Sequence, residues 1–224
     1  MIHRVTSKHQ LNSVLIGMLL GDSYLGVNKS GDKAYLDTLH KASHKEYLLW
    51  KRGLISPYIK TSFKFKSNNG YPAFLMRSGL ERSLIYLRDD FYNANGTKII
   101  RKNILNRVTN FSLAIWYMDD GNLSLGKKNG SINRRNVFLN THGFGLEGNK
   151  LIQSWLFLTY GIEANINQNR GYRIRLNTEN TKKFLSIVYP VVSQIPCMMY
   201  KIDMKYKALP LGSRVQENSK RGES

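Results

Sequence analysis

The chain has 224 residues, 42% hydrophobic and 11% aromatic, enough for one sizeable core or two smaller ones. No run approaches the roughly 18 apolar residues a membrane-spanning helix needs, Met1 to Arg4 lacks the apolar segment of a secretory signal, and the single cysteine, Cys197, excludes an internal disulfide and a multi-cysteine zinc site. With 34 Lys and Arg against 15 Asp and Glu, the net charge is +19; these residues are spread through strand-like segments rather than gathered on one amphipathic helix, which favours a nucleic-acid partner over a membrane surface.

The first element is a helix-length apolar segment over residues 11–22 that ends in Asp22. Its Gly17 and Gly21, four apart, share a face and remove side chains from it, so a second backbone is expected to approach there. A β-hairpin follows, with strands at 24–27 and 35–40 and a turn at 29–32. A helix is predicted over 43–54, with Ser43 as N-cap and Glu46 at the capping-box spacing. Next come strands at 62–66 and 73–77 around an Asn-Asn-Gly turn at 68–70, then a helix from about 80 to 91.

From residue 111 the order repeats: an apolar segment over 111–120 ending in Asp120, a short strand near Leu123, a Gly/Asn loop and a strand at 137–141. A helix at 146–160, strands at 164–168 and 172–177, and a helix at 179–189 complete the second unit. The polar tail 212–224 has no hydrophobic period and is expected to be disordered. The fold class is therefore α+β: two tandem pseudo-symmetric αββαββ repeats, 7–98 and 99–211, with antiparallel sheets.

Successive strand residues point to opposite faces. Lys64 and Lys66 share one face of their strand, opposite Phe63 and Phe65, and Arg173 and Arg175 do the same in the second repeat. Asn165, Asn167 and Asn169 alternate in the preceding strand. One such strand alone reads as an ordinary half-exposed sheet. Basic faces in corresponding strands of both repeats favour a two-part nucleic-acid surface, Lys and Arg for phosphates and guanines, Asn for adenines, with Arg77, Arg134 and Arg135 as further candidates.

If the two apolar helices pack side by side, Asp22 and Asp120 become neighbours at their C-terminal ends. Two carboxylates facing the negative ends of helix dipoles repel. Hard divalent cations, Mg²⁺ foremost and Mn²⁺ as a substitute, relieve that repulsion with oxygen ligands. Two ions roughly 3.5–4 Å apart activate water and hold a leaving oxygen in nuclease chemistry. Either acid alone reads as a turn residue after a core helix; in matched positions the metal reading prevails.

Leu15-Ile-Gly-Met-Leu-Leu-Gly-Asp22-Ser23 and Leu113-Ala-Ile-Trp-Tyr-Met-Asp-Asp120-Gly121 resemble the two LAGLIDADG motifs of single-chain homing endonucleases, and the likeness in repeat pattern spans about residues 11–209. Ser23 departs from the first motif's final glycine, and Ile115 stands where the helix contact prefers a small residue. The resemblance implies a monomer whose two sheets form a saddle on a long double-stranded DNA target, cut on both strands by metal-dependent hydrolysis. It makes Asp22 and Asp120 the metal-binding acids, with the backbone carbonyls of Gly21 and Asp119 as further ligands. Ca²⁺ is expected to permit binding without turnover, its looser coordination filling the site without the reactive geometry.

The same resemblance puts Lys98, in Gly96-Thr-Lys98-Ile, and Lys201, in Met199-Tyr-Lys201-Ile, beside the scissile phosphates. It also assigns a polar residue that orders active-site water to the end of each repeat's second strand, where His40 and His142 stand; a surface histidine reads equally well there. The alternative function is an intron RNA maturase, because some members bind their own intron RNA and have lost cleavage. Both acids and both lysines are kept, which favours a nuclease. The richness in Lys, Asn, Ile and Tyr points to an AT-rich genome, and an organelle or a prokaryotic cytoplasm fits equally.

Overall fold

In the computed structural model, which describes residues 5–129 and 131–202, the two apolar segments are the central helices α1 (Lys8–Leu20) and, after three intervening helices, α5 (Asn110–Asp120). The residues 1–4 and the tail 212–224 lie outside the described part. The first helix starts where the Ser7 side chain accepts from the Gln10 amide, the other where Thr109 and Ser112 form a reciprocal capping box. Their cores, residues 13–20 and 112–118, are buried on every side, since each helix packs both on its partner and on its own sheet.

The glycine face behaves as its spacing predicts. A Cβ added at Gly17 would stand 2.6 Å from the Ser112 carbonyl oxygen and 3.0 Å from the Ile115 Cβ; at Gly21 it would stand 2.4 Å from the Asp119 Cβ. Gly17 and Ile115 occupy the same place in the two motifs, as do Gly21 and Asp119. The bulk that one helix carries therefore fills the room that the other leaves, Ile115 lying against Gly17.

After α1 the chain forms β1 (Ser23–Val27), β2 (Ala34–Lys41), α2 (Lys45–Ile55), β3 (Thr61–Asn68), β4 (Tyr71–Ser78) and α3 (Ser83–Phe91). A short α4 (Lys102–Leu105) leads to α5, followed by β5 (Gly121–Lys128), β6 (Ser131–Leu139), α6 (Gly145–Tyr160), β7 (Ala164–Gln168), β8 (Tyr172–Leu176) and α7 (Thr178–Val192). A 3-10 turn, Pro196–Lys201, ends the described chain. Each half has one four-stranded antiparallel sheet, ordered β1-β2-β4-β3 and β5-β6-β8-β7. The fold is the expected α+β one. One hydrophobic cluster, which includes the fully buried Phe91, Trp116, Tyr117 and Phe184, runs through both halves. No helix among the described residues is long and apolar enough to cross a membrane.

Several local expectations fail for physical reasons. Ser43 is not an N-cap: a 3-10 turn, Ala42–His44, precedes α2, and His44 at its N-cap makes no side-chain cap bond. Strands β5 and β6 extend well beyond Leu123 and Val137, because polar Asn, Ser and Arg residues continue the ladder without a period-two signal; a register shift at Gly126/Lys127 absorbs the odd residue. Helix α7 continues to Val192 although Pro190 lies inside it, since a proline in the last turn forfeits only one terminal bond. The turn between β3 and β4 is as expected: Asn69 and Gly70 both have positive φ (50° and 82°), which the Asn-Gly pair tolerates.

Candidate functional site

Both acids stand where the central helices end, Asp22 just past the C-cap Gly21 and Asp120 as the last residue of α5. The Asp22 side chain keeps 38% of its exposure and Asp120 is half-buried. Burial, then the Asp119 charge, pushes the Asp22 carboxyl up to about 6. Burial, then the charges of Asp22 and Asp119, pushes Asp120 up to about 7. The helix pair has thus brought the acids within each other's field, and such carboxylates gain by holding a cation.

Two lysines cap the helix ends in matched fashion. Lys98 Nζ donates to the carbonyls of Gly21 (3.2 Å) and Ser23 (2.7 Å), and Lys201 Nζ to those of Met118 (2.5 Å) and Asp119 (3.2 Å). The carbonyls of Gly21, Met118 and Asp119 are orphan acceptors at a helix C-terminus, where a cation is favoured, and that of Ser23 opens strand β1. The loop before Lys98 is closed by Asn93, whose side chain accepts from the amides of Asn95 and Thr97. Lys201 is held by the Tyr117 hydroxyl, which donates to its carbonyl at 2.5 Å. Burial lowers the pKa of both lysines, Lys201 to about 8. Neither is the solvated lysine of a basic surface.

Asp119 has a different occupation. Its side chain has no exposure; Oδ1 accepts from Lys51 Nζ (2.5 Å) and the Tyr47 hydroxyl (2.9 Å), and Oδ2 accepts from the Asp22 amide (3.2 Å). Lys51 also lies 3.0 Å from His40 Nε2. An ammonium only donates, so Nε2 accepts and the His40 proton sits on Nδ1, 3.5 Å from Asp22 Oδ2. Burial and the Lys51 charge hold the His40 pKa down to about 2, so its ring is neutral.

Asp22, His40 and Asp119 could offer ligand atoms within 4.8 Å of one another, but the Lys51 ammonium already bonds the inner two. The Asp22 and Asp120 carboxylates could hold a divalent ion instead, with the Gly21 and Asp119 carbonyls, each of which retains a second lone pair beside its lysine bond. That donor set is all oxygen and suits a hard cation. Lys51 and Tyr47 were not foreseen from the sequence. The signal was there: the buried residues of α2, Tyr47, Leu48, Lys51, Leu54 and Ile55, have helical spacing and put one lysine in an apolar stripe.

His142 stands apart from this arrangement. The inward position corresponding to His40 is held by buried Thr141, which donates to Asn149 Oδ1 at 2.5 Å. His142, one residue on, lines a cavity with Asn169, Arg170 and Arg173. A slip of one residue at a strand end changes the face, so matching the two histidines by sequence misleads.

Cross-strand partners show which side chains share a face. Lys64 lies opposite Leu75, Lys66 opposite Ala73, and Arg77 opposite both Ser62 and Asp37. The cavity on this face is lined by Asp22, Asp37, Lys66, Asn68 and Arg77, which joins the acid to the basic strands. Arg77 is tied to Asp37 by two bonds of 2.7 and 2.5 Å, which offsets part of its charge. In the other sheet Asn165 pairs with Arg175, Asn167 with Arg173, and Arg175 with Phe138, so these five share a face; Arg173 lies 4.2 Å over the Phe138 ring. Asn169 lies beyond β7, in the turn with Arg170. Adjacent Arg134 and Arg135 cannot both join this surface: Arg134 is on the Phe138 side, and Arg135 is on the opposite side with buried Val137.

The sequence profile of the LAGLIDADG DNA endonuclease family matches residues 12–184. The chain belongs to that family. The homing endonuclease I-WcaI, solved bound to its DNA recognition sequence, is similar to this LAGLIDADG chain at 26% identity, with a TM-score of 0.74 over 87% of this chain and 86% of that one. Protein RecA of Mycobacterium gastri is 29% identical over 203 residues, 84% of this chain and 46% of the relative. The cytochrome b mRNA maturase bI2 of Debaryomyces hansenii is 24% identical over 211 residues, 86% of this chain and 73% of the relative. The chain spans about half the length or less of the RecA relatives it matches.

The raised acid pKa values of this LAGLIDADG centre have a consequence for the metal-free protein. Each acid ionises near 3.8 when unfolded and near 6 or 7 when folded, so the folded state binds more protons and their contribution is lost as pH rises from about 4 to about 7. His40, depressed from 6.5 to about 2, has the opposite sign, its contribution being lost as pH falls below 6.5. Comparing Asp120→Asn with the parent isolates the acid. In chelator at pH 8 the variant should melt about 2–4 °C higher, the shift that ~1 kcal/mol gives in a chain of this size once solvent screening is allowed for. Calorimetry should find that advantage shrinking toward pH 5; a pH-independent difference would contradict the repulsion.

Proposed function

We propose that this chain is a site-specific homing endonuclease that, as a monomer, makes double-strand breaks in a long DNA target by divalent-metal-dependent phosphodiester hydrolysis. The observation that carries this reading is the doubled set of an acid and a capping lysine at two adjoining helix ends, Asp22 with Lys98 and Asp120 with Lys201. Asp22, Asp120 and the carbonyls of Gly21 and Asp119 would hold Mg²⁺ or Mn²⁺. Such ions supply Lewis acidity and lower the pKa of bound water. Lys98 and Lys201, already ordered by their bonds to backbone carbonyls, would put positive charge beside the phosphate as it gains negative charge. His40 directs a proton at Asp22 and so orients that carboxylate. Repeats 7–98 and 99–211 would each grip one half-site: Lys64, Lys66 and Arg77 in the first, Arg134, Asn165, Asn167, Asn169, Arg173 and Arg175 in the second. Likeness to a homing endonuclease bound to its DNA target supports this reading.

The test is a plasmid library of genomic fragments incubated with the full chain and Mg²⁺, the linear products being captured and sequenced. Breaks at one recurring sequence, at fixed positions on both strands, are expected. Likeness to a cytochrome b mRNA maturase favours a second reading, an intron RNA cofactor. No linear product in Mg²⁺ or Mn²⁺, together with tighter binding of transcripts of the library than of the duplexes, would replace the first reading with the second.

A further inference from the structure

The two repeats match along the helices behind their sheets. Buried Tyr47, Leu48, Lys51, Leu54 and Ile55 of α2 correspond in order to buried Gly148, Asn149, Ile152, Trp155 and Leu156 of α6. The place of His40 is taken by Thr141. Lys51, His40 and Tyr47 therefore have the counterparts Ile152, Thr141 and Gly148, and the charged network is built only once, a neutral Thr141–Asn149 pair standing in the second repeat. Its carboxylate, Asp119, comes from the second motif and reaches across the helix pair into the first repeat, through room left by Gly21. Asp22 gains twice: its amide donates to Asp119 Oδ2 at 3.2 Å, and its carboxylate faces His40 Nδ1 at 3.5 Å. Among the described residues, the Asp120 carboxylate makes no hydrogen bond or ion pair.

Stability does not account for this asymmetry. A fully buried ion pair loses most of its Coulombic gain to desolvation, and apolar residues of similar volume often replace it at no cost. Ile152 shows that the position accepts an apolar side chain. What Lys51 supplies, and Ile152 cannot, is a donor that fixes both Asp119 and the tautomer of His40.

We propose that Lys51 is a positioning residue that acts through His40 on Asp22, so that cleavage of one DNA strand depends on this link and cleavage of the other does not. This rests on the endonuclease reading above. The halves of the centre are then unequal in chemistry although matched in fold.

Lys51→Met alone strands a buried carboxylate, so the informative variants are Lys51→Met with Asp119→Asn, which removes both charges, and His40→Ala, which cuts the link and leaves the ion pair. The first measurement needs no cleavage. Long-range ¹H–¹⁵N correlations of the His40 ring in the metal-free full chain should show the Nδ1–H tautomer in the parent and a mixture in the double variant. The second uses a supercoiled plasmid carrying one site that the parent cuts. Both variants should accumulate nicked circles with the intact bond on the same strand, cleavage of that strand falling about 10–100-fold as for lost ligand-orienting partners; in His40→Ala, which leaves the Asp119 charge beside Asp120 in place, the other strand should stay within about twofold. An Nε2–H tautomer in the parent, or equal slowing of both strands in His40→Ala, would overturn the proposal. A purely structural role would lower the melting temperature and slow both strands together. If the parent cuts no DNA at all, the endonuclease reading fails, and the tautomer measurement still decides whether Lys51 governs His40.

Discussion

Asp22→Asn and Asp120→Asn should each abolish double-strand cutting while leaving DNA affinity within about tenfold of the parent. Each substitution keeps the shape of the side chain and removes the charge that a divalent ion would neutralise. The carboxylates already sit at a cost, raised to about 6 and about 7 by burial and by their acidic neighbours, so removing one relieves repulsion and does not harm the fold. DNA affinity comes from Lys and Arg on the sheets, which the substitutions leave alone. Losing an ion that activates water and stabilises the leaving oxygen should slow the reaction at least about 10³-fold, or more than ~4 kcal/mol of barrier. Single-turnover cleavage in Mg²⁺ beside gel retardation in Ca²⁺ separates the two quantities, because Ca²⁺ should support binding without turnover. Full cutting by either variant would remove the two-carboxylate mechanism.

How far the site could be read from sequence depended on what kind of signal each residue leaves. Asp22 and Asp120 end long apolar runs and recur in register, so position alone singles them out. Gly17 and Gly21 were readable because close helix contact requires small residues at a fixed spacing, and the Cβ distances to Ser112, Ile115 and Asp119 agree. Strand alternation placed Lys64, Lys66, Arg173 and Arg175 correctly, since period two is strict inside a ladder. It could not place Arg134 and Arg135, where long polar strands hide the register, or His142, where a strand end slips by one. Lys51 leaves a fainter mark in the sequence. In a chain with 34 basic residues a lysine draws no attention, and only the burial of its neighbours on α2 marks it as exceptional. The resemblance implies a role for the Asp119 carbonyl; the partners of its carboxylate, Tyr47 and Lys51, lie about seventy residues away in the chain and come together with it only through the helix pair.

Removing Lys64 and Lys66, or Arg173 and Arg175, should weaken DNA binding on opposite sides of the cleavage centre. The two pairs belong to separate four-stranded sheets, and each shares the face of its sheet with polar residues open to the same side, Arg77 with the first and Asn165 and Asn167 with the second. A charged face of this kind binds phosphates by releasing counterions, and the logarithm of the affinity falls by about 0.9 for each unit of log salt per phosphate neutralised. Each double alanine variant should therefore lower the salt slope by up to about 1.8 and cost the most affinity at low salt. The Arg173 guanidinium also stacks on Phe138, so Arg173→Lys should retain phosphate attraction and lose the stacking. Footprinting on a cut site should show protection lost in one half for the lysine pair and in the other half for the arginine pair, the centre staying protected in both. Loss in the same half for both pairs, or a salt slope that neither variant changes, would mean that the two sheets do not grip the duplex from either side of Asp22 and Asp120.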